Sequence, residues 1–410
     1  MTGFQYFLRL RARQQRWTMK RTLWTASLLV AALTAVACGA DFSPQSFIDK
    51  PRILGIRADP PDVQFSDAQQ GTVVLTAFLA LPTLPKDAPL GPREVKSLDW
   101  TLCVLNLGSA ASYACALPEI PVDGDLATGT ATFDGAVLYA QLEIIRPLMP
   151  KFVEFLKQTV TQSDACQNAV ITQWDACAAQ NGGDVATCVD PGFEAEKACI
   201  LAAGQDITFR LTATWTDGTT DLVADAYKKV RFRTITAENP ANRNPGFTLS
   251  VEKSRVAGTA PSPVGAVLAC PGQTIDLEPV LLPGARETYI DAKGASQEEF
   301  VFLSWYTAVG DLDRLKSSTA TVIPGDPIDL TNELVLPAAA DMPDSFQAWV
   351  FVRDDRLGLD GLTYEVRRRA DAECVAPAGF QGKFTPPAVE VVPITPVSAA
   401  DRSPTDGGAA

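Results

Sequence analysis

Asp206-Ile207-Thr208-Phe209-Arg210-Leu211-Thr212-Ala213-Thr214-Trp215-Thr216 carries an apolar side chain at Ile207, Phe209, Leu211, Ala213 and Trp215, with a polar residue between each. Five apolar positions at a strict period of two describe an extended chain with one buried and one wet face. Asp217-Gly218 follows, a dipeptide suited to a type I′ turn, and residues 223–234 return as the partner strand. The same alternation appears upstream. Residues 51–61 read as a strand, residues 71–81 place Val73, Leu75, Ala77 and Leu79 on one face, and residues 97–105 add Trp100 and Cys103. Residues 51–236 are therefore predicted to form one antiparallel β-sandwich, broken by an insertion at about 138–204.

Within the insertion the period changes. Phe152, Phe155, Leu156 and Val160 recur at helical spacing behind Pro150, which a first helical turn tolerates. Cys166, Cys177, Cys188 and Cys199 stand eleven residues apart. At about 100° per residue, eleven residues return to within about 20° of the same helix face. Two helices joined through Asn181-Gly182-Gly183-Asp184 would set Cys177 against Cys188 near the turn and Cys166 against Cys199 three turns away. The spacing thus predicts a helical hairpin with two crosslinks. Zinc sites favour shorter ligand spacings, so no metal is assigned to these thiols.

Residues 237–246, with Asn239-Pro240 and Asn244-Pro245, read as a linker, and residues 247–376 as a second sandwich without an insertion. Its strands are expected at 247–253, 273–282, 299–308, 345–354 and 362–369. Cys270 lies before the second of these and Cys374 after the last, so their pairing would close a loop of about 100 residues, worth about 4 to 5 kcal/mol in the chain-entropy model. Cys103 and Cys115 are left to pair locally. Residues 377–410 are rich in Pro, Ala, Ser and Gly and are expected to be a disordered tail. The fold class is mainly β: two immunoglobulin-like antiparallel β-sandwich domains, the first with an α-helical hairpin insertion.

Composition narrows the chemistry. The 410 residues include 35 Lys and Arg, 48 Asp and Glu, nine Cys and no His. Without imidazole there is no Ser-His-Asp or Cys-His nucleophile system and no His-containing zinc site. Residues 1–37 hold Arg9, Arg11, Arg13, Arg16, Lys20 and Arg21 and no acid; removing these six cations from the overall −13 leaves −19 on the remainder. Such a charge disfavours nucleic-acid binding through a basic surface. No phosphate-binding glycine loop, dinucleotide fingerprint or Gly-x-Ser-x-Gly elbow occurs. No cofactor is assigned, and the chain is read as non-enzymatic.

From Met19 the chain runs Met19-Lys20-Arg21, then an apolar stretch over 23–37, then Cys38-Gly39-Ala40-Asp41. A basic segment, an apolar segment and a small-residue cleavage site in this order make a secretory signal. Fifteen residues at 1.5 Å rise span about 22 Å, short of a hydrocarbon core of about 30 Å, so a signal removed after export is favoured over a retained span. Residues 1–18 would make an unusually long basic region, which points to Met19 as the start. Ala35-Val36-Ala37-Cys38 resembles the lipobox of bacterial lipoproteins. The resemblance implies cleavage after Ala37, acylation of Cys38, a lipidated tether over 38–50 and, since Gly39 rather than Asp follows the cysteine, an outer-membrane address. Eight further cysteines in an exported chain read as four disulfides.

Trp100 and Trp305 on middle strands resemble the immunoglobulin-like or polycystic-kidney-type modules of bacterial surface proteins. So does the long hairpin Phe346-Gln347-Ala348-Trp349-Val350-Phe351-Val352-Arg353-Asp354-Asp355-Arg356-Leu357-Gly358 with Leu362-Thr363-Tyr364-Glu365-Val366. With the lipobox and Pro51-Arg52-Ile53-Leu54, the whole resembles outer-membrane lipoproteins of myxobacteria, which implies a membrane partner through the N-terminal lipid. The expected role is a structural or protein-interaction component of the cell envelope, with the helical insertion as the surface for an envelope partner. The alternative is a glycan- or calcium-binding surface module, and a third reading is a carboxylate-based hydrolase. Asp354, Asp355 and Asp360, or Asp123 and Asp125 around Gly124, could supply acids for calcium or glycoside chemistry, though turns use the same residues. Trp100, Trp215, Trp305 and Trp349 could stack on sugars or fill cores.

Overall fold

The structure is a computed structural model and describes residues 46–66, 68–82, 93–103, 115, 118–159, 165–237, 240–251, 254–256, 265–290, 295–320, 328–375 and 385–393. Ala37 and Cys38 lie outside the described residues. In chain order the first part holds β1 (Arg52–Asp59), β2 (Asp62–Gln64), β3 (Thr72–Ala80), β4 (Glu94–Cys103), β5 (Ile120–Val122), β6 (Gly124–Asp125) and β7 (Thr130–Asp134). Helices α1 (Gly135–Ile145), α2 (Met149–Thr159), α3 (Ala165–Gln180) and α4 (Val189–Ala203) follow, then β8 (Gln205–Thr216) and β9 (Asp221–Arg233). The second part holds β10 (Phe247–Val251), β11 (Ser254–Val256), β12 (Gly265–Ala269), β13 (Thr274–Leu281), β14 (Thr288–Ile290), β15 (Ser296–Glu298) and β16 (Val301–Thr307). It continues with β17 (Asp311–Leu312), β18 (Lys316–Ser318), β19 (Asn332–Val335), β20 (Ser345–Asp354), β21 (Leu359–Arg368) and β22 (Glu390–Pro393).

Two sandwiches result. In the first, the sheet β2-β9-β8-β4-β5 faces the sheet β1-β3-β7-β6 across a core that includes Ile56, Val73, Leu75, Trp100, Phe133, Phe209, Leu211 and Phe232. In the second, β18-β16-β20-β21-β12-β22 faces β11-β10-β13-β19-β17, with Leu249, Leu277, Leu303, Trp305, Val350 and Tyr364 between them. The alternation along β8 turns one face inward: Ile207, Phe209, Leu211, Ala213 and Trp215 are all fully buried, while Thr212 and Arg210 pair across the outer face with Asp225 of β9.

A third layer of apolar contact joins the sandwiches. Phe78 and Ala80 of β3, Leu54 of β1 and Ile48 just before it belong to the same buried cluster as the second sandwich core. Phe78 meets Phe351 of β20 edge to face, with ring centroids 5.0 Å apart. Gly361 of β21 makes the contact possible, since a Cβ there would come within 2.3 Å of the Phe351 ring. The central strands β20 and β21 are thus covered on both faces, as their run of buried residues records.

Several expectations need correction. The β8–β9 hairpin closes through four residues, not a two-residue type I′ turn. Only Gly218 among them has positive φ, and Asp217 Oδ1 takes the loop amides of Thr219 (2.9 Å) and Thr220 (2.8 Å). A type I′ turn needs positive φ at both central residues, which Asp217 chemistry makes unnecessary here. The antiparallel sandwiches stand as expected, with two short parallel pairs added among the described residues, β2 with β9 and β12 with β21. The insertion starts at Gly135, and among the described residues it holds the α-helices α1 to α4 and two short 3-10 turns. Asp134 caps the first by accepting from Ala136 N at 2.8 Å. In α2 the buried face is Met149, Val153 and Leu156, whereas Phe155 is half exposed. Residues 240–246 are not a free linker, because Asn242 is 1% exposed and wedged between the sandwiches. Within the expected tail, residues 390–393 form β22 and pair antiparallel with β12, while residues 376–384 and 394–410 lie outside the described residues.

The disulfides are Cys103–Cys115, Cys166–Cys199, Cys177–Cys188 and Cys270–Cys374, with Cα separations of 5.5 to 5.7 Å. Gly182 and Gly183, at φ of 63° and 91°, end α3 and let the chain turn back towards α4. The layered packing has a measurable consequence. Phe351→Ala is expected to lower the free energy of unfolding by about 3 to 5 kcal/mol, read from urea denaturation of the oxidised protein, since one ring is lost from a closed seam.

Candidate functional site

The seam between the sandwiches gathers the largest set of buried ionisable groups among the described residues. Its position follows from chain geometry: β1 ends at Asp59 beside the β20–β21 turn, β2 begins at Asp62, and residues 240–246 return through the same place. Asp62 Oδ2 takes two bonds from Arg233, 3.0 Å from Nε and 2.7 Å from Nη2, and a third from Asn242 N at 3.1 Å. Both side chains are at most 6% exposed. Arg356 of the second sandwich approaches the same oxygen at 3.8 Å.

Asp354, which the sequence singles out, organises its own turn. Its Oδ1 accepts from Arg356 N (2.9 Å) and Gly358 N (2.6 Å), and its Oδ2 from Asn242 Nδ2 (3.2 Å). Gly358 is required by close approach, because a Cβ would collide with the Asp354 carboxylate. Leu357 between them takes the left-handed backbone conformation at φ 83°, and its carbonyl accepts from Lys228 Nζ of β9. A branched residue in that conformation costs on the order of 1 to 3 kcal/mol, which the surrounding bonds must hold in place. Glu299 accepts from Glu287 N (2.9 Å) and Arg356 Nη1 (3.1 Å). Asp360 meets Arg57 at 3.1 Å, Arg353 Nη2 donates to Leu54 O at 3.1 Å, and Asn244 bridges Ala58 O and Leu359 N.

Burial perturbs these groups. It pushes the Glu299 carboxyl up to about 7, the nearby Asp354 charge adding to the rise while the Glu287 amide and Arg356 oppose it. It also raises Asp354 and Asp360 above the usual carboxylate range, outweighing the amides, Asn242 and Lys228 around the first and Arg57 beside the second. Burial brings Lys228 down to about 8, with Arg353 adding to the fall and Asp354 opposing it. Each shift accompanies a bond across or along the seam. Chemically, the arrangement fixes two bodies in one register; its acids are engaged by backbone amides and guanidinium groups.

The other candidates separate. Asp355 is exposed and accepts from the Tyr289 hydroxyl, and Asp125 is an exposed turn acid holding Ala127 N and Thr128 Oγ1. Asp123 is exposed too, and Asp123 and Asp125 are not joined to the seam. Among the described residues no group of three or more Cys, Asp or Glu is placed to hold a metal ion. Trp100, Trp215, Trp305 and Trp349 are all at most 3% exposed, so none of these rings is open to stack on a sugar. Sequence reading missed Asp62, Lys228, Arg233, Asn242 and Glu299. Asp62, Arg233 and Glu299 lie at or beside strand ends, Lys228 inside β9 and Asn242 between strands, and polarity at such positions is equally that of solvated residues. No helix among the described residues is long and apolar enough to cross a membrane. No protein-family model matches the chain, and no curated protein matches its sequence.

Asp62→Asn leaves Arg233 and Arg356 facing each other without their shared carboxylate and is expected to cost about 3 to 5 kcal/mol in urea unfolding, more than an exposed acid such as Asp123→Asn. Glu299, raised in the folded state, binds a proton that the unfolded chain releases, so its contribution is full below about pH 4.5 and is lost as pH rises through about 7. The stability-against-pH curve of Glu299→Gln is therefore expected to be flatter than that of the parent between those values, in parallel denaturation series.

Proposed function

We propose that the chain is a non-enzymatic, lipid-anchored protein of the cell envelope, acting as a structural or protein-interaction component. The observation that carries this reading is the cysteine arrangement: all eight cysteines after Cys38 are paired, in a chain whose N-terminal region ends in a lipobox-like Ala35-Val36-Ala37-Cys38. Disulfides persist in oxidising compartments, and an export signal with an acylated cysteine delivers a chain to one and keeps it at a membrane. The locked seam supports a scaffold role, because its buried acids are held by guanidinium groups and backbone amides. On this reading the helical insertion presents a partner surface. Two crosslinks brace it, and Val137, Leu148 and Val185 leave apolar area exposed on it.

A glycan-binding role would need rings other than the four buried tryptophans, and a calcium role would need acids that the described clusters do not bring together. The deciding experiment is intact-mass spectrometry of protein purified from its own membranes, with and without reduction. The expected mass is that of the chain cut before Cys38 plus two or three acyl chains, rising by about eight daltons on reduction as four disulfides open. An unacylated N-terminus or a smaller increase overturns the anchor or the crosslinks respectively.

A further inference from the structure

The N-terminal end of the described chain is pinned, and where it is pinned has consequences for orientation. Ile48 N donates to Thr307 O at 2.8 Å and Thr307 N donates to Ser46 O at 2.9 Å, so residues 46–48 add a short parallel pairing to the end of β16. Ile48 is fully buried. Thr307 pairs with Ala348 near the start of β20, and Ser345 pairs with Arg367 near the end of β21. These residues mark one pole of the β16-β20-β21 sheet.

The opposite pole is set by the same strands. β20 runs from Ser345 to Asp354, about 30 Å at 3.3 Å per residue, and ends at the Asp354–Gly358 turn. β1 runs alongside from Arg52, paired with Ala80, to Asp59, paired with Val74. The helical insertion leaves β7 at Asp134, which pairs with Thr72, and Gly135 N bonds Gly71 O. Both the seam network and the base of the insertion therefore lie at the far end from Ser46.

Only seven residues, 39–45, separate Cys38 from Ser46, and seven extended residues reach about 25 Å at most. We propose that the pole carrying Ser46–Ile48, Thr307 and the start of β20 faces the lipid surface, with β20 running outward and the helical insertion rooted at the membrane-distal pole. This rests on acylation of Cys38. A second observation supports it: the chain without residues 1–37 carries a net charge of −19, which repels anionic headgroups and opposes lying flat on them.

The test compares two exposed positions at opposite ends of β20. Asp344 and Asp355 are each replaced singly by an azide-bearing residue, labelled with a donor dye, and the acylated protein is reconstituted into vesicles of phosphatidylcholine and anionic phosphatidylglycerol containing a headgroup acceptor dye. Energy transfer at least twofold greater from position 344 than from position 355 is expected. Equal or reversed transfer in protein whose mass shows the acyl chains overturns the orientation alone. A mass without acyl chains overturns the anchor and the orientation with it. Asp341, exposed at the same pole as Asp344, supplies a second site if the 344 variant fails to fold, and is expected to match position 344.

Discussion

Phe351 stacks edge-on against Phe78, and with that contact the outer face of the second sandwich's larger sheet becomes an interior surface. Burying a phenyl side chain is worth about 1.5 to 3 kcal/mol, and here it is joined by Ile48, Leu54, Ala80 and Trp349 in one continuous cluster. Once two sandwiches share such a layer, everything else at their junction must tolerate loss of water. The buried row in β20 and β21, the glycine at 361 and the bulge in β1 between Ile53 and Gly55 are accommodations to that packing.

The polar part of the junction follows from the same exclusion of water. Backbone carbonyls of β1 and of the β20–β21 turn are met there by side chains: Asn242 donates to Arg356 O, Asn244 to Ala58 O, Lys228 to Leu357 O and Arg353 to Leu54 O. The charges cannot be left alone there, so Asp62 is matched by Arg233, Asp360 by Arg57 and Glu299 by Arg356. Buried ion pairs add little net stability against an apolar replacement, because desolvation offsets the attraction. Their effect is directional: a register shift by one residue would strand several charges at once. Such a junction suits a body whose parts keep fixed positions, in line with the scaffold reading.

Parts of this were legible from local pattern. The strict alternation through Ile207 and Trp215 marks a strand because side chains on an extended chain alternate by geometry alone, and the eleven-residue cysteine spacing marks a helical hairpin because helix periodicity is equally local. Asp354 stood out as an acid in a cluster. Its work as a turn organiser, holding Arg356 N and Gly358 N, was not visible, because calcium ligands and turn acids draw on the same residue type. Lys228 was not singled out: it shares the inward face of β9 with Val230 and Phe232, and nothing along that strand shows that the Leu357 carbonyl of the second sandwich will meet it.

Local periodicity and side-chain chemistry are properties of the sequence by itself. They determined the mainly β class, the two sandwich regions, the helical insertion and the exclusion of imidazole chemistry. Tertiary structure decided which faces were covered twice. It turned residues 240–246 from a spacer into the centre of a polar seam, drew residues 390–393 onto the edge of β12, and left the four candidate tryptophans inside cores. The physical reason is that burial is a relation between distant segments. Asp62 and Arg233 are 171 positions apart and Arg57 and Asp360 are 303 apart, so no window along the chain contains both members of either pair.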